Sequence, residues 1–351
     1  MDVIGGFWTS VLAFLLVLTV LVFVHELGHY LVARRNGVRI EVFSIGFGPE
    51  LFGVTDRAGT RWKFSAIPLG GYVKMFGDAD PASTPGAGLQ TMTREEQAVS
   101  FHHKRLGQRA AVVAAGPIAN FVFSIVVLTV LFATAGQSFT PPDVGGVQPG
   151  SAAERGGLQP GDVILSIDGA GIQRFEEIRQ IVSIKPGETM EVVVERDGRR
   201  QALTVTPDAR EVTDRFGNTH RIGQLGIMRG GAEMKRHDPL TAFWQAGREV
   251  AGMVSGTFVA LGQMVEGSRG TEELGGPLRI AQMSGEVAQS GWYPLVWFMT
   301  FLSVNLGMIN LFPVPLLDGG HLLFYAIEGI LGRPLDRERK NTVSASVWLW
   351  Y

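Results

Sequence analysis

His25-Glu26-Leu27-Gly28-His29 sets two imidazoles four residues apart, with a carboxylate directly after the first. On an α-helix, positions i and i+4 share one face, so both rings can reach a single metal ion. Glu26 is one residue along, where it can take the proton of a water activated at that ion. A hydrolytic metal centre uses three protein ligands and leaves a fourth position open. The third ligand must therefore come from elsewhere in the chain. Asp318, in Leu316-Leu317-Asp318-Gly319-Gly320, is the candidate, and His321 competes with it. The chain has no cysteine, which excludes thiolate ligands, disulfides and a cysteine nucleophile.

The setting of these residues is apolar. Val3 to Val24 carries no charge and runs directly into His25. A bilayer is crossed by ~20 mostly apolar residues, and an ionisable group near its centre costs at least ~2.5–3.5 kcal/mol. Three such groups within five residues, at the end of an apolar helix, need partners. Two further uncharged runs qualify as spans, Ala110 to Gly136 and Val287 to Leu317, the second ending at Asp318. The first run is expected to remain in the protein, because Met1-Asp2 lacks the basic start of a signal peptide and no small-residue cleavage site follows.

Composition agrees. Of 351 residues, 46% are hydrophobic and 18% charged, against roughly 25% charged in a soluble domain. A net charge of −2 argues against a nucleic-acid partner. Arg34 to Arg109 holds 11 Lys/Arg against 7 Asp/Glu, while Gln137 to Ser290 holds 16 against 20. By the positive-inside rule the first loop is cytoplasmic and the long segment lies outside.

The long segment contains a soluble insert. Val163–Ile167, Met190–Glu195 and Leu203–Thr206 read as strands, and Arg196-Asp197-Gly198-Arg199 as the turn joining the last two. Phe175–Val182 reads as a short amphipathic helix, and Ile222–Ile227 is expected to close the sheet. The run from Pro149 to Ile164 resembles the core of bacterial PDZ domains, which bind chain ends or extended peptides by adding a strand to a sheet edge. Pro239 to Gly267 reads as an amphipathic helix along the outer membrane face. Between the first two spans, Val42–Pro49 and Trp62–Met75 read as strands.

Taken together, the HExxH pentad, Gly116-Pro117-Ile118-Ala119-Asn120 in the second span, the PDZ-like insert, and Asn305 through Gly320 (NLGMINLFPVPLLDGG) resemble the site-2 protease family. The similarity is greatest to the bacterial regulator-of-sigma-E protease group and runs from about Gly5 to Pro334. The resemblance implies a polytopic α-helical membrane protein with a membrane-associated β-structure and an inserted PDZ-like domain of α+β type. It implies a zinc-dependent endopeptidase that cuts single-span proteins inside the bilayer, such as anti-sigma factors in regulated intramembrane proteolysis, and remnant signal peptides as a second class. His25, His29 and Asp318 are then the Zn2+ ligands, Glu26 the general base, and Asn305, Asn310 and Asn120 substrate-binding residues. The location implied is a bacterial inner membrane, with the PDZ-like domain periplasmic.

The expected layout follows. Residues 1–35 carry the first helix with HExxH, 36–109 a cytoplasmic-side loop with β-structure, and 110–136 the second helix. Residues 137–230 form the PDZ domain, 231–286 a periplasmic helical segment, 287–318 the third span, and 319–351 a C-terminal helix and tail. The family has a fourth span after the Leu-Asp-Gly motif, whereas Asn341 to Tyr351 is too short to cross ~30 Å of hydrocarbon as a helix. A truncated or altered tail is therefore expected, and the alternative function is a membrane-anchored PDZ binding protein that has lost proteolysis.

Overall fold

The computed structural model describes residues 3–79, 91–213, 219–231, 233–266, 276–315 and 317–333. They fall into two compact units, one drawn from Met1–Thr129, Phe243–Thr257 and Gly275–Tyr351, the other from Val130–Ala242 and Phe258–Leu274. The expected tail beyond Arg333 lies outside the described residues.

The first unit begins with α1 (Val3–Arg35), which passes unbroken through the HExxH pentad. Arg34 and Arg35 end it, where positive charge suits the negative end of the helix dipole. Two long strands follow, β1 (Ile40–Thr55) and β2 (Arg61–Met75). Both strands double back: β2 runs along both edges of β1, so Phe43 lies opposite Val73 on one side and Trp62 on the other, while Phe64 lies opposite both Ile45 and Phe52. An aromatic cluster fixes this sheet to α1: Phe43 stacks on Trp62 at 4.3 Å, and Tyr30 of α1 meets both rings edge-on at 5.8 and 4.9 Å. Helix α2 (Arg94–Val99) starts with a capping box between Thr93 and Glu96, and α3 (Leu106–Thr134) carries Pro117 inside it.

The second unit holds most of the small strands. β3 (Gln137–Phe139) and β4 (Val144–Val147) lead to α4 (Ala152–Arg155). Then come β5 (Val163–Ile167), β6 (Ala170–Gly171), α5 (Phe175–Ser183), β7 (Met190–Arg196) and β8 (Arg199–Val205). Their four strands pair in the order β6-β5-β7-β8. Met190, Val192 and Val194 are buried while Glu191 and Glu195 are not, the period-2 pattern of a half-covered strand. Each apolar side chain buried there is worth roughly 1.5–3 kcal/mol. Ile178 and Val182, four apart on α5, complete that core. Asp197 and Gly198 both have positive φ, 51° and 73°, as a two-residue hairpin turn requires. Arg196 grips the buried Asp162 carboxylate with two bonds of 2.7 Å. Burial alone would raise that carboxyl's pKa, but the guanidinium and the Gln159 N–H hold it below the ordinary aspartate value.

The remaining strands correct one expectation. β9 (Asp208–Thr213) pairs with β10 (Thr219–Gln224), and β11 (Ile227–Arg229) pairs with β4. Ile222–Ile227 therefore does not extend the four-stranded sheet, because Gly226, at φ 79°, turns the chain between two separate ribbons. β12 (Glu233–Lys235) pairs with β3.

Three helices precede the last one. α6 (Pro239–Val265) is capped by Asp238, and α7 (Pro277–Gln289) crosses α1 where Gly285 lies against Ser10. Thr257 of α6 donates a 3.2 Å hydrogen bond to the Asn305 side-chain oxygen on α8 (Trp292–Leu311). Val287 to Leu317 is not one helix. It breaks at Gly291, whose φ is 120°, and again before Pro313 and Pro315, which disfavour helix at the residues preceding them. α9 (Asp318–Leu331) follows at once. Three helical stretches are long and apolar enough to cross a membrane: Phe7–Arg35, Leu106–Thr134 and Trp292–Leu311.

Candidate active site

Two helices and a turn bring the chemistry together. His25 and His29 sit one turn apart on α1, and Asp318 opens α9. The chain reverses between Leu311 and Asp318, and Gly319 lies directly on the Leu311 and Phe312 carbonyls. A side chain there would push the first turn of α9 away. At its far end α9 is held by the buried Glu328, which pairs with Arg109 of α3 at 3.0 Å. The Arg109 guanidinium also lies 4.8 Å from the Tyr325 ring centre.

Nε2 of His25 and Nε2 of His29 are 3.2 Å apart, and Oδ2 of Asp318 is 3.2 Å from the first and 3.5 Å from the second. Ligands at ~2.0–2.1 Å around a tetrahedral zinc stand about 3.3–3.4 Å from one another. The triangle has the dimensions of one face of such a site. His29 Nδ1 lies 2.9 Å from the Val112 carbonyl oxygen; a carbonyl only accepts, so Nδ1 carries the proton and Nε2 presents its lone pair. Oδ2 of Asp318 is buried and makes no well-aligned hydrogen bond. Lone pairs converge on one point from three side chains, and a cation is the group that satisfies them. Among the described residues, these three form the group that could hold a metal ion.

A cavity of about 200 Å³ opens beside the triangle, lined by Glu26, Asn310, His321, Tyr325 and the Gly71–Val73 stretch of β2. Glu26 faces this space without joining the ligand group. Gly71 lies against Val22 and the Glu26 side chain, so β2 approaches α1 as closely as backbone allows. Gly71–Met75 pairs with β1 on one side, and among the described residues no strand pairs with its other edge.

The three asparagines separate in space. Asn310 lines the cavity. Asn120 is buried behind the His25–His29–Asp318 triangle, its Nδ2 3.2 Å from His25 Nδ1. Asn305 faces α6 through Thr257 and caps the Phe301 carbonyl with a 2.8 Å bond. His321 is in the cavity wall but outside the converging group.

Gly116 was missed by residue-type reasoning, although it sits four residues before Asn120. A Cβ there would fall on His29 Nε2 and within 2.9 Å of His25 Cε1. Gly116→Ala should therefore displace both rings. Overpacking of this kind costs about 1–3 kcal/mol, roughly a 5- to 150-fold loss in metal affinity. Gly107→Ala, on the same helix with nothing within 4 Å of its Cβ position, is the silent control. Equal metal affinities for the two variants, measured by chelator competition, would remove the steric role of Gly116.

The profile of peptidase family M50 matches residues 13–349. The chain is 48% identical over 336 residues to the provisionally named zinc metalloprotease Atu1380 of Agrobacterium fabrum, covering 94% of this chain and 89% of that protein. It is 38% identical over 357 residues to the metalloprotease MmpA of Caulobacter vibrioides, covering 95% and 90%. Over 26% of its length it is similar to the PDZ domain of an SdrC-like protein from Listeria monocytogenes, with 20% identity, 90% of that chain covered and a TM-score of 0.21. On the extent of the profile match and the identity to its relatives, the chain belongs to peptidase family M50.

Proposed function

We propose that this peptidase is a zinc-dependent endopeptidase of a bacterial inner membrane that cleaves membrane-embedded segments of single-span proteins. The observation that carries this reading is the convergence of His25, His29 and Asp318, beside Glu26, where the apolar helix Phe7–Arg35 meets the first turn of α9. It favours proteolysis over a binding protein that has lost its chemistry. Zinc held by the three side chains supplies Lewis acidity, polarising the scissile carbonyl and lowering the pKa of water toward ~7. Glu26 takes the proton as water attacks and returns it to the leaving amine nitrogen.

The cavity suits an extended chain. A helix is about 10–12 Å across with its side chains, and its peptide bonds are shielded. An unwound stretch could add to the free edge of Gly71–Met75, with Asn310 holding its backbone. The β1–β2 sheet exposes Leu51, Phe52, Val54, Ile67 and Leu69, an apolar surface suited to hydrocarbon. A substrate role for Asn305 requires Thr257 to release it. Anti-sigma factors already shortened on the outer side are the proposed substrates, with remnant signal peptides as a second class.

The basic flanks of the first loop support a cytoplasmic placement for it and a periplasmic one for the insert. We read the insert as a PDZ domain. A groove of about 560 Å³ between α5 and Ile222–Ile227 is where it would take a chain end.

The test is metal content and cleavage on one preparation in detergent. The expected result is about one zinc per chain, loss of cleavage on chelation, and recovery with zinc. A chain that binds zinc and cuts no membrane peptide, or cuts equally well after chelation, overturns the reading.

A further inference from the structure

The two histidines are held differently. His29 Nδ1 faces a backbone carbonyl, which settles its tautomer. His25 Nδ1 faces the side-chain amide of Asn120 at 3.2 Å, and an amide offers either a donor or an acceptor. As placed, Nδ2 is the nearer atom, while Oδ1 is buried with no hydrogen-bond partner. The two ends of an amide have the same shape, and a half-turn about its last bond exchanges them.

We infer that Asn120 is a positioning residue for the metal site: its Oδ1 accepts the proton of His25 Nδ1, fixing the tautomer in which Nε2 is free to ligate. The inference rests on the metal-centre reading above. If His25 Nε2 gives its lone pair to a cation, the neutral ring carries its proton on Nδ1, and that proton needs an acceptor. Asn120 is the group in place. Its backbone is clamped from two sides, because the Asn120 carbonyl accepts from Ser124 Oγ at 2.9 Å and from Ser303 Oγ of α8 at 3.0 Å. Gly307 of α8 lies 3.3 Å, by its Cβ position, from the Asn120 Cβ. The amide is buried behind the ligands, on the α3 side of His25, and is not among the residues lining the cavity. That placement suits orienting a ligand better than holding substrate.

The experiment compares zinc affinity of the full-length protein in detergent, by chelator competition, across variants at position 120. Asn120→Leu keeps the branched shape, with some added bulk, and removes the acceptor; it should weaken zinc by about 10- to 100-fold, as lost support behind a ligating histidine does. Asn120→Ala should show the same loss without added bulk. Asn120→Asp keeps an acceptor and should bind zinc at least as tightly as the unaltered protein. A packing role predicts the opposite order, since leucine is tolerated in an apolar interior and an added carboxylate is not. In a His25→Ala background, Asn120→Leu should cause no further loss, because the residue it serves is gone. Unaltered affinity in Asn120→Leu and Asn120→Ala, a loss in Asn120→Asp as large as in leucine, or an additive loss in the double variant each overturns the inference. If the unaltered protein binds no zinc, the metalloprotease reading falls first and takes this one with it. Zinc bound through His25, His29 and Asp318 with no effect at position 120 sinks the inference alone.

Discussion

Glu26→Gln should leave zinc near one ion per chain and lower kcat by about 10²- to 10⁴-fold, the range that general acid–base catalysis contributes. Glutamine keeps the size and a hydrogen-bonding end but cannot accept the proton of the attacking water. Glu26 faces the cavity beside the ligand triangle and contributes no atom to it, so metal content and substrate KM should change little. That separation makes the experiment informative. A variant that loses zinc along with activity would place Glu26 among the ligands, and turnover close to the unaltered protein's would remove it from the chemistry.

Asp318→Ala should act on the metal first. Asp318 is the one donor of the three that does not come from α1, and it closes the triangle from the first turn of α9 at 3.2 and 3.5 Å. Without it two imidazoles remain on one helix face. Zinc affinity should fall by more than the ~10–100-fold that loss of a supporting residue costs, and cleavage should fall with it. His321→Ala is the matching control. His321 shares the cavity but not the converging group, so zinc should be retained. Retention of zinc in Asp318→Ala with loss in His321→Ala would exchange the two assignments.

Much of this was legible in the sequence because it depends on neighbours along the chain. The i, i+4 spacing of His25 and His29 fixes their shared face wherever a helix forms, and the uncharged run before them favours that helix strongly. The Asp197-Gly198 turn and the β-branched run Val192–Val194 flanked by Glu191 and Glu195 are equally local, and the hairpin they encode is present. Apolar run length located three helices fit to cross a membrane, but not their ends: Gly291 and the prolines after Phe312 cut the third to Trp292–Leu311.

Tertiary structure decided everything that depends on where two distant backbones meet. Asp318 and His321 are three residues apart at the start of α9, on the same side of one helix. What distinguishes them is where the turn after Leu311 sets α9: Asp318 Oδ2 lies 3.2 and 3.5 Å from the two imidazole nitrogens, while His321 lines the cavity outside that group. The asparagines are alike as letters, yet one lines the cavity, one faces α6, and one stands behind His25. Gly116 matters because two rings from α1 occupy the space its side chain would fill. Residue type and spacing specify which chemistry is available and which face of a helix bears it. Close packing between helices far apart in the chain specifies which groups share a site, because a displacement of one side chain's width separates a ligand from a bystander.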